Sequence, residues 1–335
     1  MKIIVDAFGG DNAPLEILKG CALAVEELGV ELMLTGDEAK IKACAAENGI
    51  SLDKMEIVHA PDVIAMEDHP DEILKSKSGC SMAEGLRRLA AGEGEAFVTA
   101  GSTGAAVMGS TFLVKRIKGV KRAALAPLMP SDKGPFMCID VGANVECRPE
   151  VLCQFGIMGS AYMKGFCGKP DPRVGLLNVG TEDTKGGTLQ KEAFALLKEA
   201  PINFIGNVEA RDVPAGICDV LVNDGFSGNI VLKLTEGVAL VFMGNLKDIL
   251  MRSLPSKLAA MMLKPGLRAF KHKLDYTEYG GAPLMGISKP VIKAHGSSNA
   301  NAFKNAVRQA KAFAESGAIA EIAAIAGKKR EENQQ

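Results

Sequence analysis

The residues best suited to chemistry in this 335-residue chain lie in short runs where glycine mixes with Asp, Asn, Ser and Thr. The stretch "NDGFSGN" (223–229) joins the apolar run "ICDVLV" to a helical pattern. A glycine-rich turn feeding a helix aims several backbone N–H groups at one spot, which suits an anion. Gly225, Ser227, Gly228 and Asn229 are therefore a candidate cradle, with Asp224 either orienting a neighbour or simply holding the turn. Comparable runs recur. "DAFGGDNAP" carries Gly10, Asp11 and Asn12, and "TAGSTGA" carries Ser102, Thr103 and Gly104. "DVGAN" brings Asn144, "NVGTEDTKGG" brings Asn178, Gly180, Thr181 and Lys185, and "AHGSSN" brings His295, Ser297 and Ser298. Any one of them is an ordinary turn. All of them at one predicted sheet edge read as a single composite cleft.

Several catalytic schemes fail on spacing. There is no G-x-x-x-x-G-K-[ST], no G-x-G-x-x-G after the first strand and no G-x-S-x-G. His59, His69, His272 and His295 are isolated, so no zinc site is expected, and none has an Asp five positions on. Eight cysteines without a C-x-x-C pair read as reduced, packed thiols of a cytosolic protein. What remains is a set of N–H donors, hydroxyls, amides and a few cations. It can hold a phosphate-like anion and stabilise an oxyanion, with no covalent protein nucleophile, metal or cofactor.

The elements that position these runs follow from periodicity. Short apolar, often β-branched runs at 2–7, 31–36, 55–60, 95–101, 123–130, 136–142, 174–180, 202–208, 219–225 and 290–296 alternate with helical patterns such as "EILKGCALAVEEL". Uninterrupted apolar strands imply burial on both faces, hence a three-layer α/β/α fold around a largely parallel sheet. The polar runs follow the strands, where ligands of such sheets bind. Residues 1–328 are expected to form one α/β unit or two intimately joined subdomains, with 329–335 a frayed tail. A net charge of -1, no Trp and three Tyr argue against nucleic-acid binding. No stretch is read as long and apolar enough to span a bilayer, and "MKIIVDAFGG" reads as a strand and not a signal peptide.

Two basic segments stand apart. Residues 249–275 hold six cations and no acid before Asp275. Leu254, Leu258, Met261 and Met262 follow helical spacing, and Leu267 and Phe270 continue after Pro265-Gly266, with Lys264 and Arg268 among them. A basic amphipathic hairpin of this kind suits an anionic bilayer surface, or else a dimer or core-packing face. The run "VKRIKGVKR" (114–122) has five cations and no acid, which fits an acidic partner or a solvated turn.

Read together, "DAFGGD", "TAGSTGA", "DVGAN", "GLLNVGTEDTKG", "VEARD", "NDGFSGNIVLKLTEG", "YGGAPLMG" and "HGSS" resemble, in order and over nearly the whole chain, the phosphate acyltransferase (PlsX) family of bacterial phospholipid synthesis. Phe8, Ser102 and Ala210 depart from that family's commoner Met, Asn and Gly. The resemblance implies transfer of a fatty acyl group from acyl carrier protein to inorganic phosphate, giving acyl phosphate. It implies a fold related to phosphotransacetylases and isocitrate-dehydrogenase-like enzymes, and a homodimer. It also implies peripheral attachment to the inner face of the cell membrane and hand-over to a membrane glycerol-3-phosphate acyltransferase. The residues fit such a reaction, because phosphate is itself the nucleophile and the protein must align it and stabilise the oxyanion. Asn229 can serve either task. Lys185 can supply a mobile cation or be a solvated loop lysine. Asp11 and Asn12 can line the cleft or cap a helix, and His295 is more often structural than chemical. The rival readings are a short-chain phosphotransacetylase using acyl-CoA, a non-catalytic membrane-associated binding protein, and a decarboxylating dehydrogenase.

Overall fold

The alternation of apolar strand runs with amphipathic helical runs produces layered α/β structure. The computed structural model describes residues 1–274 and 279–332, without the side chains of 268–269, 271–274 and 328–332. The chain opens with β1 (Lys2–Asp6), α1 (Leu15–Leu28), β2 (Glu31–Gly36), α2 (Glu38–Glu47), β3 (Met55–His59), α3 (Ser81–Ala91), β4 (Ala96–Thr99) and α4 (Thr103–Gly109). A turn of π-helix, Ser110–Lys115, extends α4. Then come β5 (Ala124–Leu125), β6 (Leu128–Met129), β7 (Phe136–Ile139), α5 (Pro149–Cys167), β8 (Arg173–Asn178), α6 (Thr188–Lys198), β9 (Asn203–Glu209) and β10 (Val220–Val222). The last third holds α7 (Gly225–Met251), α8 (Leu254–Leu274), β11 (Ala282–Met285), β12 (Val291–Lys293), α9 (Ala300–Glu315) and α10 (Ala318–Glu332).

The strands form two sheets. One has seven strands in the order β3-β2-β1-β4-β12-β11-β5, the other five in the order β6-β7-β10-β8-β9. Pairing is parallel except at β11, which runs antiparallel to β12 and β5, and at β6, antiparallel to β7. In the larger sheet Ile3, Val5, Leu34 and Val98 pack toward α1 and α9, while Ile4, Met33 and Phe97 pack toward α3. Both faces are thus covered by helices, as the apolar runs required. Burying a side chain such as Phe97 contributes about 2 kcal/mol. The smaller sheet has α5 on one face through Leu152 and Phe155.

The structure departs from the sequence expectation in five places. The run 123–130 is two strands in different sheets, because Pro127 has no N–H and interrupts the ladder. "APLM" (282–285) is a strand, obscured by its own proline. The hairpin turns at Arg252–Ser253, not at Pro265, which lies inside the continuous helix α8; its arms are α7 and α8, in contact through Phe242 and Phe270 with ring centroids 6.4 Å apart. The hairpin's expected end at 275 lies outside the described residues. At 27 residues, α7 is also long and apolar enough to cross a bilayer by length and composition, contrary to the expectation that no segment is. Its first turn is nevertheless built into the α/β body, through buried Gly225 and Gly228. The segment read as a frayed tail is helical as far as Glu332, and 333–335 lie outside the described residues.

Candidate active site

In the larger sheet the chain moves from β1 to β2 on one side, whereas β4 lies on the other. The carboxyl ends of β1 and β4 therefore flank a topological switch point, where such sheets open a crevice. Asp6 ends β1 there, fully buried. Ser81 Oγ and Thr99 Oγ1 each donate to its carboxylate at 2.7 Å, and the Phe8 N–H donates at 3.3 Å. Burial raises the Asp6 pKa, and these donors pull it back. The carboxylate stitches β1, α3 and β4 together. Gly9 passes so close that a Cβ would stand 2.6 Å from both Asp6 Oδ2 and the Gly101 nitrogen.

Beside this knot, β12 ends in Lys293, 6% exposed. Its ammonium donates to the Ala100 carbonyl at 3.2 Å and the Ala294 carbonyl at 2.5 Å. Burial pulls its pKa down to about 8, and the negative charges of Asp6 and Asp11 act the other way. Two residues on, His295 Nδ1 accepts the Ser297 N–H at 3.2 Å, which leaves the proton of a neutral imidazole on Nε2. Burial lowers the His295 pKa, helped by Lys233 and Lys293 and opposed by Glu236 and Asp11.

The second sheet supplies the facing wall. Asp140, after β7, is fully buried and accepts from the backbone of Leu125 (2.8 Å), Ala143 (3.3 Å) and Asn144 (2.6 Å). The Asn144 side-chain amide donates to it at 3.0 Å and to the Ala123 carbonyl at 2.7 Å. This fixes the 140–144 turn, against which α7 begins. Asn229, in the first turns of α7, donates from Nδ2 to the Val141 carbonyl at 3.1 Å, which orients its amide at the wall.

The expected anion cradle at the start of α7 is corrected by its own hydrogen bonds. Asp224 caps the helix: its carboxylate accepts the Ser227 N–H at 2.7 Å and the Ser227 hydroxyl at 3.2 Å. The Gly228 N–H goes to the Asp224 carbonyl at 3.0 Å and the Gly225 N–H to the Asn144 carbonyl at 2.7 Å. The donors of Gly225, Ser227 and Gly228 are thus spent, and the cap's negative charge already meets the helix dipole. The glycines serve close approach instead. A Cβ on Gly225 would stand 2.6 Å from the Asn144 carbonyl oxygen, and one on Gly228 would overlap Asn223 Nδ2 and the Asp140 carbonyl.

Between the two walls lies a cavity of about 830 Å³. Asp11, Thr103, Gly104, Asn144, Asn229 and His295, all expected from sequence, line it together with Lys293. Its apolar part is formed by Val107, Met108, Phe112, Leu125, Leu128 and Leu232, and Arg116 and Arg122 also line it. Several expected residues act from behind. Asn12 Nδ2 donates to the Ser297 carbonyl at 3.3 Å and the Ser298 carbonyl at 3.4 Å. The Ser298 hydroxyl donates to the His295 carbonyl at 2.7 Å, and Ser102 caps α4. Gly10 takes φ 98°, a region that favours glycine.

The loop after β8 stands apart from this lining. Asn178 Nδ2 donates to the Lys185 carbonyl at 3.2 Å, and Asn207 Nδ2 to the Glu182 carbonyl at 2.8 Å. Asn178, Gly180, Thr181 and Lys185 are not on the cavity wall. The Lys185 ammonium is half exposed, 3.8 Å from Glu182, so little holds it. The sequence reading missed Lys293, a lone lysine closing an apolar strand, and Asp140, which sits in the "DVGAN" it had singled out. Burial raises the pKa of Cys21, Cys44, Cys80 and Cys138, and pushes Cys147 up to about 12, Cys167 to about 11 and Cys218 to about 12.

Residues 1–321 match the model of a family described as "Fatty acid synthesis protein". The phosphate acyltransferase of Bacillus licheniformis is 48% identical over 313 residues, covering 93% of this chain and 94% of that one. That of Clostridium acetobutylicum is 45% identical over 323 residues, covering 96% of this chain and 98% of its own. Among solved structures, a phosphotransacetylase from Streptococcus pyogenes superposes with a TM-score of 0.65 at 16% identity, covering 94% of each chain. The EutD phosphotransacetylase from Staphylococcus aureus gives 0.62 at 17%, covering 96% of this chain and 94% of its own. At those identities the likeness is one of fold.

Proposed function

The chain belongs to the phosphate acyltransferases of the fatty acid synthesis protein family, and from that premise we propose that it moves a fatty acyl group from acyl carrier protein to inorganic phosphate. The observation that carries this reading is the composition of one cavity. A buried lysine and an oriented asparagine amide share it with a wall of Val107, Met108, Phe112 and Leu128. The polar end suits phosphate and a tetrahedral oxyanion, and the apolar part suits an acyl chain.

Phosphate binds beside Lys293, and one of its oxygens attacks the thioester carbonyl carbon. The C–O bond forms, the carbonyl oxygen takes up charge, and the C–S bond breaks as that charge returns. Hydrogen phosphate loses one proton and the leaving thiolate gains one, so acyl phosphate and a free thiol result with no net proton change. The Asn229 amide serves the oxyanion as a neutral donor, and the His295 imidazole lines the same cavity. Lys293 holds the anion and can pass the proton. Lys185 is the mobile cation that joins them if its loop swings inward. No cysteine attack is needed.

The enzyme works as a homodimer, cytoplasmic and peripherally attached to the inner face of the membrane, and passes its product to a membrane glycerol-3-phosphate acyltransferase. Two features support the dimer and the membrane contact. Leu234, Val238, Val241 and Ile249 make an exposed stripe along α7, and Leu254, Leu258, Met261 and Met262 are exposed early in α8. Leu267 is half-buried, Phe270 is exposed, and the Arg268 side chain lies outside the described residues. Incubation with long-chain acyl carrier protein and phosphate, with hydroxylamine trapping, tests the reaction. Hydroxamate formed only from short-chain acyl-CoA would replace this reading with that of a phosphotransacetylase.

A further inference from the structure

The basic run 115–122 leaves the π-turn after α4 and returns to β5. Its cations are set on a braced knuckle. Ile117 and Val120 are buried, whereas Lys115, Arg116, Lys118, Lys121 and Arg122 are exposed. Gln154 of α5 clamps the turn from both sides. Its Oε1 accepts the Lys121 N–H at 2.8 Å, and its Nε2 donates to the Gly119 carbonyl at 2.9 Å. The Ile117 N–H donates to the Gly286 carbonyl at 2.9 Å, the Ser288 N–H donates to the Lys115 carbonyl at 3.0 Å, and the Arg116 guanidinium donates to the Lys121 carbonyl. Gly119 takes φ 95°, and a Cβ there would stand 3.0 Å from the Ala326 carbonyl oxygen of α10. A merely solvated lysine turn has no use for this bracing. Among the described residues the charge is opposed by Glu150, 3.9 Å from Lys121, and the run itself contains no acid.

The second observation is where the knuckle stands. Arg116 and Arg122, from its two ends, line the cavity that holds Lys293 and Asn229. A rigid positive surface therefore opens directly onto the reaction space. We infer that the 115–122 knuckle is the docking surface for the acidic face of the acyl carrier protein. Arg116 and Arg122 receive the phosphodiester of the carrier's pantetheine arm as the thioester enters the cavity. This rests on the acyl-carrier reading of the site. Guanidinium groups suit a phosphodiester through paired N–H donors, and a ring of lysines steers an acidic protein into register. The geometry favours a protein over lipid, because the apolar side chains of the knuckle point inward, which leaves nothing to insert into a bilayer.

The test compares two donors at saturating phosphate: acyl carrier protein and the acyl-pantetheine bearing the same chain. In the Lys118→Glu/Lys121→Glu variant, KM for acyl carrier protein should rise about tenfold or more while kcat/KM for acyl-pantetheine stays at the wild-type value. The carrier KM of the wild type should climb with salt, and that of the variant should climb less. A milder Lys118→Gln/Lys121→Gln pair should fall between. An unchanged carrier KM in both pairs overturns the inference, as does an equal loss with both donors in the milder pair. Lost sedimentation with phosphatidylglycerol vesicles at an unchanged carrier KM assigns the surface to lipid and overturns it too. A wild-type enzyme that acylates phosphate from acyl-CoA but not from acyl carrier protein sinks the donor reading itself.

Discussion

Lys293 is the residue on which the polar end of the cavity turns. Held by two carbonyls and depressed to about 8 by burial, it carries charge below that pH and loses it above. If the charged form holds phosphate, as proposed, kcat/KM for phosphate should fall as pH rises through about 8, a profile that reports the free enzyme. Lys293→Met should abolish that falling limb and raise KM for phosphate far more than KM for the acyl donor. The sign for folding is opposite. An unfolded lysine binds its proton up to about 10.4, so the folded state gains stability relative to it between about pH 8 and that value. Burying this ammonium costs stability at neutral pH, as expected of a residue kept for function. Asn229→Ala should lower turnover on the order of 100-fold, as loss of an oxyanion donor does, without unfolding the protein. Wild-type turnover in the purified variant would remove Asn229 from the reaction. The glycine and amide runs exposed half of this site in the sequence. Asp11, Thr103, Asn144, Asn229 and His295 do line the cavity. Lys293 was hidden because a strand's last lysine looks like a surface charge until its neighbours fold over it. Asp224 stayed ambiguous for another reason: a helix cap and a carboxylate that orients a neighbour look alike until their partners are seen, and its partner is Ser227.

At the scale of elements, the decisive contact is the start of α7 against the turn after β7. Gly228→Ala would push a methyl group into Asn223 Nδ2 and the Asp140 carbonyl, both fixed by hydrogen bonds. Overpacking of this kind costs about 1–3 kcal/mol or more. A fall in melting temperature accompanied by lost activity is expected, and an unchanged melting temperature would show that α7 is not seated there. The strand runs were legible because parallel strands buried on both faces are apolar throughout. Their division into two sheets was not, since pairing partners leave no mark in local periodicity. Pro127 was the visible signal: it interrupts what read as one strand at the point where the chain crosses from β5 to β6. The α7–α8 hairpin was mislocated for a related reason. Pro265-Gly266 is a common breaker pair, yet α8 continues through it, while the actual turn at Arg252–Ser253 is marked only by Ser253, whose hydroxyl accepts the Ser256 N–H at 3.2 Å, and by Pro255 at the start of α8.

At the scale of the whole molecule, α7 and α8 expose many large apolar side chains, a pattern that marks protein or membrane contact. Two coverings are proposed, and they act on different residues. A second copy of the chain takes the α7 stripe. Val241→Glu should therefore give a monomer in sedimentation velocity, and a dimer that persists would place the interface elsewhere. The bilayer takes the exposed early turns of α8, where Leu254 is 78% and Met262 84% exposed. Each such side chain partly buried in the interface contributes about 1 kcal/mol, and each lysine or arginine near an anionic surface a further ~1 kcal/mol. Neither term alone anchors a protein firmly, so binding should be reversible and weaken with salt. A dimer carries two hairpins and gains avidity if both reach one membrane. Leu258→Glu with Met262→Glu should abolish sedimentation with phosphatidylglycerol vesicles yet leave acyl transfer in solution near wild type, because neither residue lines the cavity. Vesicle binding that survives both charges would mean that this face of α8 meets protein. Dissociation of the dimer in that variant, with the fold intact, would identify the protein as the second copy of the chain.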